Sequence, residues 1–272
     1  MVFVENLNKQ FGSKIIFRDV SFHLRPKEKV GLIGENGTGK TTLFKVIVGK
    51  ESFDSGQVTL RKGLRYGLLE QDYAGGKETG LERVVFGDPY FMQVKTEMEK
   101  LAADENFQDR YGDLQHEFER LGGYDRESRA KIILQGLGFK PGEWDKSLGQ
   151  LSGGWRMRVE LSRILLQSPD VLLLDEPSMG LAPQLVEEIF EIVKDLNQRE
   201  GVSFLLAEQN TNIALRYADY GYVLVNGRVV MDGEGAELRE NEDVKEFYLG
   251  MGGAGRKSFR DGKNYRRRKR WL

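Results

Sequence analysis

The sequence predicts an α/β fold, and three patterns carry that expectation. Val30-Gly31-Leu32-Ile33 is a short apolar run of buried-strand type, followed by a glycine-rich loop and a helical pattern from Thr41 to Val48. Val171–Leu174 and Val202–Leu206 are two more such runs, and a helical pattern over Leu185–Leu196 separates them, which reads as a β-α-β crossover. Val20 to Leu24 alternates strictly between apolar and polar residues, the mark of a half-buried strand.

The remaining elements follow along the chain. Residues 1–30 alternate as short strands, with Ile15, Ile16, Phe17, Val20, Phe22 and Leu24 as their apolar positions. Val58–Leu60 and Leu64–Leu69 read as further strands. In the middle, Phe107, Tyr111, Leu114, Phe118 and Leu121 recur at spacings of four, three, four and three, the stripe of an amphipathic helix. A second helix is expected over Arg129–Leu137, so residues from roughly 85 to 150 are expected to form a mostly helical insert. Gly252-Gly253-Ala254-Gly255 reads as the end of the folded part. The domain is therefore placed at residues 1–250 and a basic tail at 251–272. No internal repeat is visible.

Composition narrows the chemistry. The 272 residues carry 41 basic and 42 acidic side chains, a net charge of -1, so a globally basic nucleic-acid binder is not indicated and no DNA partner is expected. With no cysteine, thiolate zinc sites, iron–sulfur clusters, disulfides and cysteine nucleophiles are excluded. The two histidines, His23 and His116, exclude a histidine-rich metal site. No apolar run approaches the ~18 residues that a membrane span needs, and the N-terminus does not read as a signal peptide. The expected location is cytoplasmic. Charge is unevenly spread: Arg256–Leu272 holds nine basic residues and one acidic, a net +8, which leaves -9 on the rest. That tail suits anionic lipid or ribosomal RNA, although most short charged termini are simply solvated.

Gly34-Glu35-Asn36-Gly37-Thr38-Gly39-Lys40-Thr41 matches the phosphate-loop pattern G-x-x-x-x-G-K-[ST] in full, between an expected strand and an expected helix. Glycines let the backbone wrap phosphate groups with its N–H donors, and the helix N-terminus adds positive potential. Gly34, Asn36, Gly37, Gly39, Lys40, Thr41 and Thr42 are the expected nucleotide contacts. Lys40 neutralises the outer phosphates, and the Thr41 hydroxyl ligates Mg²⁺. The strand Val171–Leu174 ends in Asp175 and Glu176. Paired with the phosphate loop, Asp175 is expected to hold Mg²⁺ through water, and Glu176 to act as the general base on the attacking water.

Leu151-Ser152-Gly153-Gly154-Trp155 precedes a helical pattern some twenty residues before Asp175. With this LSGG signature, the phosphate loop and the Asp-Glu pair, the chain resembles the ABC ATPase superfamily over roughly residues 1–250. The resemblance implies a P-loop NTPase core with an antiparallel β subdomain and an inserted α-helical subdomain. It implies hydrolysis of ATP, with Mg²⁺, by a head-to-tail dimer. In that dimer Ser152, Gly153 and Gly154 meet the γ-phosphate held by a second ABC ATPase chain, identical or different. It also implies that Phe11 stacks on adenine, unless it is an ordinary core or hairpin phenylalanine, and that Gln71 is the glutamine that senses Mg²⁺. Two positions depart from the pattern. Gln209 stands where a switch histidine is common, and an amide can donate a hydrogen bond but cannot carry a proton. Ala182 stands where an aspartate is usual.

The two halves resemble different branches. Residues 1–177 are similar to ABC-F proteins, soluble factors that mostly act on ribosomes. The likeness rests on Arg110-Tyr111-Gly112-Asp113-Leu114-Gln115, Leu121-Gly122-Gly123-Tyr124 and Leu151–Arg158. Residues 178–272 resemble the ATP-binding subunits of branched-chain amino acid importers, through Gly180-Leu181-Ala182-Pro183, Glu208-Gln209-Asn210 and the tail from Tyr265 to Leu272. A natural mosaic, a recombinant or assembly artefact, and a divergent single lineage all fit this pattern. One phosphate loop and one signature per chain favour a transporter subunit that works with a membrane permease, peripheral at the inner face of the membrane. A ribosome-associated ATPase and a weakly catalytic partner in a heterodimer are the alternatives.

Overall fold

The computed structural model describes residues 1–70, 76–102 and 108–248, without the side chains of 108, 109 and 246–248. Gln71, Phe107 and the basic tail lie outside the described residues. The chain divides into two compact units, one drawn from residues before about 71 and after about 170, the other from those between.

The first unit contains two sheets. β1 (Val2–Phe11), β2 (Lys14–Leu24) and β4 (Ser55–Leu60) form an antiparallel sheet in the order β2-β1-β4. A six-stranded sheet has the order β5-β6-β7-β3-β8-β9, built from β3 (Lys29–Ile33), β5 (Tyr66–Leu69), β6 (Val171–Asp175), β7 (Ser203–Glu208), β8 (Tyr220–Val225) and β9 (Arg228–Glu234). Its first five strands run parallel, and β9 closes the edge as an antiparallel hairpin with β8. The expected crossover is present: α7 (Pro183–Glu200) joins the parallel neighbours β6 and β7.

The apolar runs are continuous because the parallel strands are covered on both faces. Leu173, Leu205 and Ala207 join a core shared with α1 (Lys40–Ile47), through Leu43, Phe44, Val46 and Ile47, and with Val4, Phe17, Val20 and Phe22 of the antiparallel sheet. The alternate residues Leu174, Phe204 and Leu206 face Phe190 and Val193 of α7. The alternation seen from Val20 to Leu24 is a real one-sided pattern: Val20, Phe22 and Leu24 are buried while Ser21 and His23 are half-exposed. α7 extends the helical pattern at both ends, where Pro183 occupies its first turn and Gly201 closes it. Short α8 (Thr211–Tyr217) starts at Asn210, whose side chain caps the Ile213 N–H at 3.3 Å. α9 (Gly235–Glu240) and α10 (Glu242–Tyr248) follow.

The second unit is helical, with α2 (Gly80–Phe86), α3 (Pro89–Leu101), α4 (Gln108–Arg120), α5 (Arg126–Gly136) and α6 (Gly153–Leu165). Its helices thus run on both sides of the stretch from 85 to 150. The spaced apolar residues of α4 do face a core: Phe118 is buried and stacks on Phe91 at 5.4 Å between ring centroids, with Leu114 and Leu121 packed alongside. α2 and α3 begin on local signals that an apolar-periodicity reading passes over. Thr79 and Glu82 form a reciprocal capping box, and Asp88 caps α3 just before Pro89.

Arg126 holds this unit together. It is 2 % exposed, donates to the carbonyls of Val85 (2.7 Å) and Leu121 (3.2 Å), pairs with Asp88 and covers the ring of Phe91 at 4.0 Å. Arg126→Leu leaves the Asp88 carboxylate buried without its cation. The expected loss is about 3–5 kcal/mol, read as a lower urea midpoint at unchanged slope in unfolding followed by circular dichroism.

Candidate nucleotide site

All five parallel strands end at one edge of the main sheet, the edge at which α/β folds bind ligands. The order β6-β7-β3 brings three segments out side by side there. The phosphate loop leaves β3, Asp175 and Glu176 end and follow β6, and Glu208-Gln209 ends and follows β7.

The loop is shaped by its glycines. Gly39 precedes the first turn of α1 with φ near 100°, a left-handed conformation that side-chain-bearing residues rarely adopt. A Cβ there would also lie 2.6 Å from the ring of Phe17. Gly34 is buried against the Leu224 carbonyl, 2.7 Å from where a Cβ would sit. Glu35, Asn36 and Gly37 form the exposed crest, and the Thr38 hydroxyl donates to the Glu35 carbonyl at 2.9 Å.

Lys40 is 3 % exposed. Its Nζ donates to the carbonyls of Gly34 (2.7 Å) and Glu35 (3.0 Å) and lies 3.0 Å from Glu176 Oε1. A buried ammonium demands such partners. The predicted cation and the predicted base therefore meet directly. Glu176 holds a left-handed backbone, φ 49°, costly for a residue with a side chain and typical of functional positions. Its N–H donates to the Ala207 carbonyl at 2.9 Å and its own carbonyl accepts from Met179 N–H at 3.0 Å, which keeps the turn in place.

Asp175 is 2 % exposed, with the Thr41 side chain beside its carboxylate. Burial, above all, pushes its pKa up; the neighbouring Glu176 charge adds to this, and Thr41 and Lys40 work against it. Its Oδ1 atom is buried without a hydrogen-bond partner. An orphaned carboxylate oxygen beside a threonine hydroxyl is a donor set that fits Mg²⁺, which takes one or two protein oxygens and fills its other positions from phosphate and water. Among the described residues no cluster of three or more acidic or histidine side chains offers an all-protein cage.

The other expected residues fall as follows. Thr42 is half-buried in the first turn of α1. Gln209 is exposed immediately after β7. Phe11 ends β1 at the hairpin with β2, opposite Lys14, and is 47 % exposed, so it is a hairpin and not a core phenylalanine, with its ring open to a ligand; Lys9 Nζ lies 4.5 Å from its ring centroid. Ser152, Gly153 and Gly154 start α6 in the helical unit. Ser152 is exposed and its side chain makes no capping hydrogen bond. Sequence reasoning passed over Glu208. It is 1 % exposed and accepts from both the backbone N–H (3.0 Å) and the hydroxyl (2.8 Å) of Ser178. The available signal was the one that marked Asp175, an acid at the end of an apolar strand.

Comparison with known proteins places this geometry among relatives. The family model for the ABC transporter matches residues 17–179. The high-affinity branched-chain amino acid transport ATP-binding protein BraG of Pseudomonas aeruginosa is 34 % identical over 255 residues, covering 92 % of this chain and 100 % of that protein. YfmR of Bacillus subtilis, an uncharacterized ABC transporter ATP-binding protein, is 36 % identical over 191 residues, and the chain covers 30 % of its length. Among solved structures, the ADP conformation of an ATP-binding cassette of an ABC transporter superposes with a TM-score of 0.69 at 26 % identity, over 92 % of this chain and 98 % of that one.

The raised pKa of Asp175 has a thermodynamic sign. The folded state holds this proton more tightly than the unfolded chain, so the contribution is present below the ordinary carboxylate value of 3.8 and is lost as pH rises through the raised value. At neutral pH the charged side chain is a cost. Asp175→Asn is therefore expected to raise the melting temperature in EDTA at neutral pH. The gap should close in acid. The same substitution should weaken binding of ATP with Mg²⁺ in titration calorimetry.

Proposed function

The chain belongs to the ABC transporter family and is an ATP-binding cassette with ATPase chemistry, and from that premise we propose that it energises amino-acid import through a membrane permease. Two chains close head to tail around two ATP molecules. The observation that carries this reading is the convergence of Lys40, Thr41, Asp175 and Glu176 at the edge where β3 and β6 end.

In this reading Lys40 exchanges its loop carbonyls and Glu176 for the β- and γ-phosphate oxygens, and the backbone from Gly34 to Gly39 wraps them. Thr41 and Asp175 would hold Mg²⁺, which when bound would neutralise charge on the transferred phosphoryl group. Freed from Lys40, Glu176 takes the proton of the attacking water. Gln209 orients by hydrogen bonding alone, so proton removal rests on Glu176. Phe11, exposed at the end of β1, offers its ring to adenine. Ser152, Gly153 and Gly154 at the start of α6 serve the nucleotide of the partner chain. Gln71 belongs to the same proposal through the resemblance alone.

The amino-acid assignment is supported by BraG, whose likeness extends along nearly the whole chain and is not confined to the part after Ser178. The ribosome alternative receives no support from the relatives. Among the described residues no helix is long and apolar enough to cross a membrane.

Lys40→Ala should abolish ATP binding in a fluorescent-nucleotide titration. Glu176→Gln should keep binding and lose turnover by about 100-fold or more, accumulating an ATP-trapped dimer on size-exclusion chromatography. A tagged Glu176→Gln chain with ATP should recover integral membrane proteins from detergent-solubilised lysate. Recovery of ribosomes in their place would overturn the transporter assignment, and parent-like hydrolysis by Glu176→Gln would overturn the choice of base.

A further inference from the structure

We infer that Glu208 is a positioning residue that locks the phosphate loop, the turn after Glu176 and the segment bearing Gln209 into one arrangement. The inference rests on the ATPase reading above and adds a residue that is buried behind the proposed catalytic groups.

Glu208 is the last residue of β7, the strand between β6 and β3. It contacts a catalytic segment on each side and a third in its own chain direction. Its backbone carbonyl accepts from the N–H of Gly34, the first residue of the phosphate loop, at 3.4 Å. Its carboxylate accepts the N–H and the hydroxyl of Ser178, one oxygen to each, at 3.0 and 2.8 Å. Gln209 follows it directly in the chain, so whatever fixes the end of β7 also fixes that residue's starting point. A carboxylate at 1 % exposure is expensive unless its oxygens find donors, and here Ser178 supplies one to each.

The consequence falls on Glu176. Its left-handed backbone is anchored on one side by the Ala207 carbonyl, adjacent to Glu208, and on the other by the turn that runs through Ser178 to Met179. Releasing Ser178 frees one end of that turn, so the strained conformation that aims the base is no longer over-determined. Burial pushes the Glu208 pKa up and the nearby Glu176 charge adds to it, while the Ser178 hydrogen bonds oppose the shift. The acid is thus held where it is by its donors.

The test is steady-state ATP hydrolysis by the full chain, with melting temperature and nucleotide affinity measured in parallel. Glu208→Gln replaces one acceptor oxygen by a donor that faces donors. It should lower kcat by about 10- to 100-fold, the penalty of a misplaced catalytic group, with KM within about two-fold of the parent. Ser178→Ala should lower kcat several-fold, and Ser178→Thr, which restores the hydroxyl, should recover most of it. The double variant Glu208→Gln/Ser178→Ala should be no slower than Glu208→Gln alone, because both remove the same restraint. Unchanged kcat in Glu208→Gln, a Ser178→Ala loss that threonine does not recover, or additive losses would each overturn the inference. If Glu208→Gln does not fold, the alanine and threonine pair at Ser178 decides. Absence of turnover in the parent would overturn the ATPase reading itself, whereas parent turnover with unaffected variants overturns only the role of Glu208.

Discussion

A buried ammonium is the constraint around which the site is organised. Lys40 sits in the first turn of α1 at 3 % exposure, and a cation there has to be matched by fixed oxygen atoms. Two come from carbonyls of its own loop, which only the tight turn from Gly34 to Gly39 can aim inward. The third belongs to Glu176, far away in sequence. That partner is within reach because β7 alone separates β3 from β6, so the loops leaving the two strands are near neighbours. Sheet order is thus a requirement of charge balance as well as of packing.

The same edge concentrates the features that disfavour folding. Glu176 has a left-handed backbone, Asp175 carries an unpartnered buried oxygen, and Glu208 buries a third carboxylate nearby. The first two cost on the order of 1–3 kcal/mol each on general grounds, while the donors of Ser178 offset the burial of the third. They are tolerated because the strands behind them are apolar and covered on both faces, by α1 and the antiparallel sheet on one side and by α7 on the other. Concentrating destabilising groups on a stiff support suits the proposed site for a polyanion and its cation, because such ligands would relieve the charges set against one another there.

Much of this was legible in the residues. The phosphate loop, the apolar strands and the crossover through α7 are local patterns, and each appears where the residues placed it. Other features were less legible for identifiable reasons. α2 and α3 lack a long apolar stripe and start on capping chemistry at Thr79, Glu82 and Asp88. β5 begins at Tyr66, two residues after Leu64, because Leu64 is still held in a turn by the Arg61 carbonyl. Arg126 reads as a surface residue in any helical pattern, yet it is the buried centre of the helical unit.

The chain's residue types and spacings were enough to single out the groups proposed to carry the chemistry. A loop that wraps phosphate needs glycine, lysine and threonine at contiguous positions, so its signature is local and survives in one dimension. Tertiary structure alone decided how those groups meet. The Lys40–Glu176 pair, the orphaned oxygen of Asp175 and the grip of Glu208 on Ser178 all join residues brought together by strand order. Strand order is chosen by non-local packing of apolar faces, and such faces look alike in sequence whichever neighbour they select.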